Sequence, residues 1–214
     1  MDKEELIRQI LELEWPMFHT VNGEERASCQ DDRDGFLALR RAQYLAWSEE
    51  TLRCYLQDLQ TAKAEGRNLA REKYIRMMES TDPENYQQFL AELPAENPEC
   101  RRITEEIWAH MLVQTRALRE RFPFLMQVGR PLTKAEEQGW PSVENYQCSE
   151  LRTYSEPTLR AYLENVLALE AAGRSLAEEI QINTVRVSGF SSLEEAETRQ
   201  RNAYGGSFGG GCCR

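Results

Sequence analysis

Arg40, Gln43 and Trp47 follow one another at spacings of three and four, so one helix face presents all three. The segment before them, Arg26-Ala-Ser-Cys29-Gln30-Asp31, adds a second guanidinium, a thiol and another amide. An arginine fork, an amide and an indole pointing one way suit a small planar anion. The competing reading is a polar network between helices, with Arg and Gln satisfying loop carbonyls and Trp47 in the core. Arg26 would lower the pKa of the Cys29 thiol. Nucleophilic catalysis also needs a base, and the only histidines, His19 and His110, are not close in sequence. A buried or incidental cysteine is the simpler reading, and no catalytic residue is assigned.

Two more groups could carry chemistry. Residues 48–70 (SEETLRCYLQDLQTAKAEGRNLA) recur as residues 155–177 (SEPTLRAYLENVLALEAAGRSLA), with 12 of 23 positions identical. At this offset Gln43 aligns with Glu150 and Trp47 with Tyr154, while Arg130 falls near the place of Arg26. If the two halves face each other, these side chains converge with Arg40 in a pocket between them. Otherwise they form the packing interface, with Glu150 and an arginine as a structural ion pair. The second group is Cys212-Cys213 at the C-terminus, a vicinal pair suited to a soft metal ion such as copper(I) or zinc. Two ligands do not close a site, so a partner would supply the rest; a plain disordered tail is the alternative. No other cofactor is expected.

Positioning these groups falls to helices. Asp2 reads as an N-cap for a helix from residue 3 to 15 or beyond, with Glu5 completing a capping box. Pro16 should kink or end that helix. Residues 22–35 carry turn chemistry, and a helix follows from about 35 to 47. In the repeat, Ser48 and Ser155 are N-caps. Leu52, Tyr55, Leu56 and Leu59 form the buried stripe of the first copy, and Leu159, Tyr162, Leu163 and Val166 that of the second. Gly66 and Gly173 stop the helices, and Asn68 and Ser175 start the next ones. Helices are also expected over 83–93, 101–122 and 192–202, the last with a Ser191/Glu194 capping box. No window alternates as a strand does.

The expected fold is therefore all-α, a helical bundle or array built from two tandem pseudo-equivalent halves. Residues 1–80 form the first half and 101–202 the second. Residues 81–100 link them through a short helix, and 203–214 are a flexible Gly/Cys tail. The net charge of −10 argues against non-specific nucleic-acid or anionic-membrane binding. No apolar run reaches the ~20 residues of a membrane span. The sequence MDKEELIRQ is unlike a signal peptide, so a cytoplasmic protein with reduced thiols is expected. No CxxC, HExxH, GxSxG, GxxxxGK or GxGxxG motif stands in the required setting.

The string ILELEWPMFHTV, RASCQDD, RRAQYLAWSEETLRCYLQDL, AEGRNLAREKYIRMM, GRPLT and ELRTYSEPTL resembles domain-of-unknown-function family 4125. The likeness covers most of residues 1–196. It implies a small bacterial cytoplasmic helical protein and names no reaction. The family pattern often has a glycine pair before Arg26, where this chain has Glu24 and Glu25. With no complete catalytic motif, the leading expectation is an interaction or accessory module with a protein partner. The alternative is a binding protein or enzyme for a small anionic ligand, with a pocket at Arg26, Cys29, Gln30, Arg40, Gln43, Trp47, Arg130, Glu150 and Tyr154.

Overall fold

A computed structural model describes residues 1–21, 30–127, 129–137 and 140–205. Arg26, Cys29, Cys212 and Cys213 lie outside them. Eleven α-helices and no strand occur among the described residues. In chain order they are α1 (Lys3–His19), α2 (Arg33–Leu45), α3 (Glu49–Ala64), α4 (Leu69–Thr81), α5 (Pro83–Phe89), α6 (Pro98–Arg121), α7 (Pro123–Gln127), α8 (Val143–Leu151), α9 (Glu156–Ala171), α10 (Leu176–Val187) and α11 (Leu193–Gly205). The all-α expectation holds.

Local chemistry accounts for most boundaries. The side chains of Asp2, Ser48, Asn68, Ser155 and Ser175 each accept a bond from a first-turn amide of the helix that follows, satisfying donors that have no helical acceptor. Gly66 and Gly173 take φ of 70° and 69°. Behind them, Arg67 N bonds Ala62 O and Arg174 N bonds Leu169 O, each at 2.8 Å, the closure expected of a left-handed helix end.

Two boundaries differ from expectation, and at another α1 runs beyond residue 15, as the sequence allowed. Pro16 lies inside α1, which runs on to His19. The carbonyls of that last turn are held from outside. Asn68 Nδ2 donates to Met17 O at 2.9 Å, and the Thr20 hydroxyl donates to Pro16 O at 2.7 Å. α2 begins at Arg33 because Asp32 accepts from Gly35 N. The last helix is capped one residue late: Ser192 Oγ accepts from Glu195 N, while the Glu195 carboxylate turns back to Ser191.

Packing interleaves the chain. α1 lies against α3 and α6 against α9, and α3 and α9 meet between them. α2 packs on α10, and α4 on α8. Helices from residues 1–80 therefore contact helices from 101–202, and one apolar cluster joins Leu6, Ile10 and Leu52 to Ile103, Leu159 and Val166. Trp47 sits within it, 1% exposed. Its ring centre is 4.9 Å from that of Tyr44, 5.7 Å from Tyr55 and 5.2 Å from Tyr162. A smaller cluster of Leu118, Phe122, Val185 and Leu193 seats α11 beside α7.

Leu159 is fully buried at the α3–α9 contact. Leu159→Ala should lower the unfolding free energy by about 2–5 kcal/mol in urea denaturation; a loss below about 1 kcal/mol would mean that this stripe does not carry the core. A Cβ on Gly173 meets no atom within 4 Å, but φ there is 69°. Gly173→Ala should therefore cost about 1–2 kcal/mol from backbone strain alone.

Candidate functional site

Four helices each turn a charged side chain inward at one point. On α1, Glu14 follows Ile7 and Ile10 on the buried face. α2 supplies Arg40, α4 supplies Lys73 and α8 supplies Glu150. Arg40 grips the Glu14 carboxylate with two bonds, Nη2 to Oε1 at 2.5 Å and Nε to Oε2 at 3.2 Å. Its Nη1 donates at 2.8 Å to both Glu150 Oε1 and Gln43 Oε1, and its Nη2 also reaches the Tyr44 hydroxyl. Such forked, charge-assisted bonding is the strong form. Tyr55 Oη donates to Glu14 at 2.6 Å, and Tyr154 Oη donates to Glu150 at 2.9 Å.

Charges buried this deeply survive only when paired. Burial pushes the Glu150 carboxyl up, but the Arg40 guanidinium and Lys73 ammonium outweigh it and hold Glu150 far below the usual carboxylate range. Burial first, then the neighbouring carboxylates, hold the Tyr55 and Tyr154 phenols well above the usual range. These phenols stay neutral and donate.

Lys73 is 7% exposed. Its Nζ donates to Glu150 Oε2 at 2.6 Å and lies 3.3 Å from the centre of the Tyr146 ring. An ammonium carries three donors, so one is left over. Lys73 lines a cavity of about 340 Å³, together with Glu14, Arg40 and Glu150. Its apolar lining includes Phe18, Phe36 and Leu39, and the rings of Phe18 and Phe36 stack at 4.6 Å. A second cavity, of about 270 Å³, shares Glu150 but is lined by Met111, Gln147, Tyr162 and Ile180.

The residues singled out in the sequence fall in several places. Arg40 and Glu150 meet in this cluster, and Arg130 lines the same cavity with its guanidinium 5.2 Å from the Tyr146 ring centre. Gln43 bonds Arg40 but lines the second cavity. Tyr154 bonds Glu150 from the core side, and Trp47 is core. Gln30 is buried, and its amide donates to Val21 O at 2.7 Å, tying the end of α1 to the approach to α2.

Sequence reasoning missed Glu14, Tyr55 as a polar partner, and Lys73. The available signal was a charge at a stripe position: Glu14 lies four residues after Ile10, and Lys73 four after Leu69.

Among the described residues no group of three or more His, Cys, Asp or Glu is placed to hold a metal. Cys54, Cys100 and Cys148 are free thiols. Burial, then the nearby Glu144, pushes Cys148 up to about 12, the opposite of an activated thiol. No described helix is long and apolar enough to cross a membrane.

A family model described as "Protein of unknown function (DUF4125)" matches residues 4–198 of the 214. Among curated proteins and among solved structures, nothing matches the chain.

The depressed Glu150 pKa sets a sign for the pH dependence of stability. Its contribution is present above the unfolded glutamate value of about 4.3 and is lost as pH falls towards the folded value. Glu150→Gln should cost about 3–5 kcal/mol at pH 7 by breaking a buried pair, and the gap to wild type should narrow below about pH 4. A gap that stayed constant across acid denaturation curves would show that Glu150 is not ionised in the fold.

Proposed function

We propose that this chain, which belongs to the DUF4125 family, binds a small ring-bearing carboxylate in the cavity above Arg40, Lys73 and Glu150. The observation that carries this reading is the cluster's position: charges from four helices converge beneath an apolar opening instead of in a dry core. Apolar walls with a few convergent polar groups are the usual make-up of small-molecule sites. Phe18, Phe36 and Leu39 would hold the ring, and Lys73 would give its remaining donor to the carboxylate.

The two tandem halves sharpen the argument. Taking them as equivalent through the repeat, Arg40 corresponds to Gln147, Lys73 to Ile180 and Glu150 to Gln43. Leu6, Ile10 and Glu14 are matched in spacing by Ile103, Ile107 and Met111. On this reading the second cavity is the counterpart of the first; it keeps Glu150, which lines both, and lacks Glu14, Arg40 and Lys73. The same helix arrangement closes around methionine, glutamine and isoleucine on that side. On this reading Glu14, Arg40 and Lys73 have uncharged counterparts, which leaves those three charges for another use. This supports ligand binding over the protein-partner role expected from composition.

The test is a thermal-shift screen of small aromatic and alicyclic carboxylates against the full chain, repeated with Lys73→Met. At least one compound should raise the wild-type Tm by about 3 °C or more, and Lys73→Met should lose at least tenfold in affinity for it. No stabilising carboxylate, or equal binding by both proteins, would refute the proposal.

A further inference from the structure

One turn along α4 from Lys73, Arg76 is 3% exposed. Its Nε has no hydrogen-bond partner, and no ion pair to Arg76 occurs among the described residues. Arg119 Nε is likewise without a partner, but Arg119 is only half-buried and its Nη2 donates to Arg130 O at 2.9 Å, and the buried or half-buried arginines beside Arg76 are paired. Arg67 grips Glu72 with bonds of 2.8 and 2.9 Å. Arg152 pairs with both Glu79 and Glu96 at 2.5 Å. Burial, with the Arg152 guanidinium nearby, holds Arg76 below the usual guanidinium range, against weaker pulls from Glu96 and Glu72. An arginine does not shed its charge, and a buried charge without a partner is strongly unfavourable. Such a group calls for an explanation.

Arg76 lines a cavity of about 390 Å³ between α4, the start of α6 and the start of α9. Arg67, Arg101 and Arg152 line it too, against Asp58 and Glu96 as the only carboxylates in the lining. The cavity is therefore a cationic site in a chain of net charge −10. Asp58 is already engaged: its carboxylate accepts from Ser155 N at 3.0 Å and from the Thr158 hydroxyl at 2.7 Å. Glu96 is held by Arg152 at 2.5 Å and by Arg101 at 3.4 Å. Asn97, the N-cap of the 24-residue α6, also lines the cavity, with Cys100 and Arg101 of its first turn. That end of a helix carries partial positive charge, although Pro98 has no N–H and Glu99 N is already capped by Asn97, so the arginines are the main donors.

We propose that this cavity is an anion site for a phosphoryl group, with Arg76 as its buried ligand. Arg76 would meet the oxyanion with its guanidinium fork, and Arg101, at the exposed edge, would add a second, outer contact. The volume exceeds that of a lone phosphate, so the group is carried by a small phosphorylated molecule. The site is distinct from the one built on Lys73, although Leu69 and Thr153 line both cavities. Its test does not depend on that reading.

The experiment titrates the full chain with inorganic phosphate and with an alkyl phosphate monoester, by calorimetry and by Tm. Chloride at matched ionic strength is the control. Wild type should show saturable binding and a rise in Tm of about 5 °C, and the ester should bind more tightly than inorganic phosphate. Arg76→Met should lose at least tenfold in affinity. It should also be at least as stable as wild type without phosphate, because it removes a charge that has no partner in the fold. Arg101→Ala, an exposed change, should weaken phosphate at least threefold and leave the basal Tm unchanged. Three results would overturn the site: phosphate acting no differently from chloride, Arg76→Met binding as wild type does, or Arg76→Met destabilised while phosphate has no effect on wild type. Equal binding of phosphate and ester would overturn the assignment to a phosphorylated molecule.

Discussion

A guanidinium enclosed by four helices has to be met from every side, and Arg40 is met from all of them. Five acceptors surround it: two carboxylate oxygens of Glu14, one of Glu150, the Gln43 amide and the Tyr44 hydroxyl. Each comes from a chosen register of its helix. Sliding α1 by one residue would carry Glu14 out of reach, and moving α8 would take Glu150 from both Arg40 and Lys73. The Tyr55 and Tyr154 hydroxyls fix the same carboxylates from the core side. The cluster thus couples the first eighty residues to the second hundred through charge, where the apolar cluster couples them through area. Area is non-directional; the ion pairs specify register.

That specificity is costly, since paired buried charges are often no more stabilising than apolar side chains of similar volume. The second cavity, which shares Glu150, is otherwise lined by uncharged side chains, Met111, Gln147 and Ile180 among them. The contrast separates what the fold needs from what it merely holds. Helix caps, glycine stops and the Leu/Tyr stripes occur in both repeat copies. The buried cluster is unequal: Glu14, Arg40 and Lys73 come from the first eighty residues and Glu150 alone from the second hundred. The unpartnered Arg76 is a further ion that the fold does not need, and it too faces a cavity.

Much of the architecture was legible because it is local. Ser48, Ser155, Gly66 and Gly173 act through bonds within five residues, and the Leu52–Leu59 stripe needs only helical periodicity. The pairing of α2 with α10 and of α4 with α8 was not legible, because it depends on which stripe faces which between helices far apart in the chain. Whether α1 ends at Pro16 or continues was not legible for the same reason: the groups that hold its last turn include Asn68, fifty-one positions from Met17. At the site, Arg40 was found through its helical spacing with Gln43 and Trp47, and Glu150 through the repeat alignment. Trp47 was weighed as a ligand contact against a place in the core, and its packing on Tyr44, Tyr55 and Tyr162 makes it core. Lys73 and Arg76 escaped notice because a charge on a helix is normally a solvated one; only the burial of their neighbours shows otherwise.

The claim that these charges serve a ligand and not the fold is tested most directly by copying the second cavity into the first. The variant is Glu14→Met with Arg40→Gln, Lys73→Ile and Glu150→Gln, and the measurement is its unfolding free energy in urea at pH 7. The account predicts a cooperative transition at wild-type stability or above it by about 1–4 kcal/mol, as apolar replacement of buried ion clusters can give. Loss of the cooperative transition, or a drop of about 3 kcal/mol or more, would show instead that the fold depends on the ions it buries.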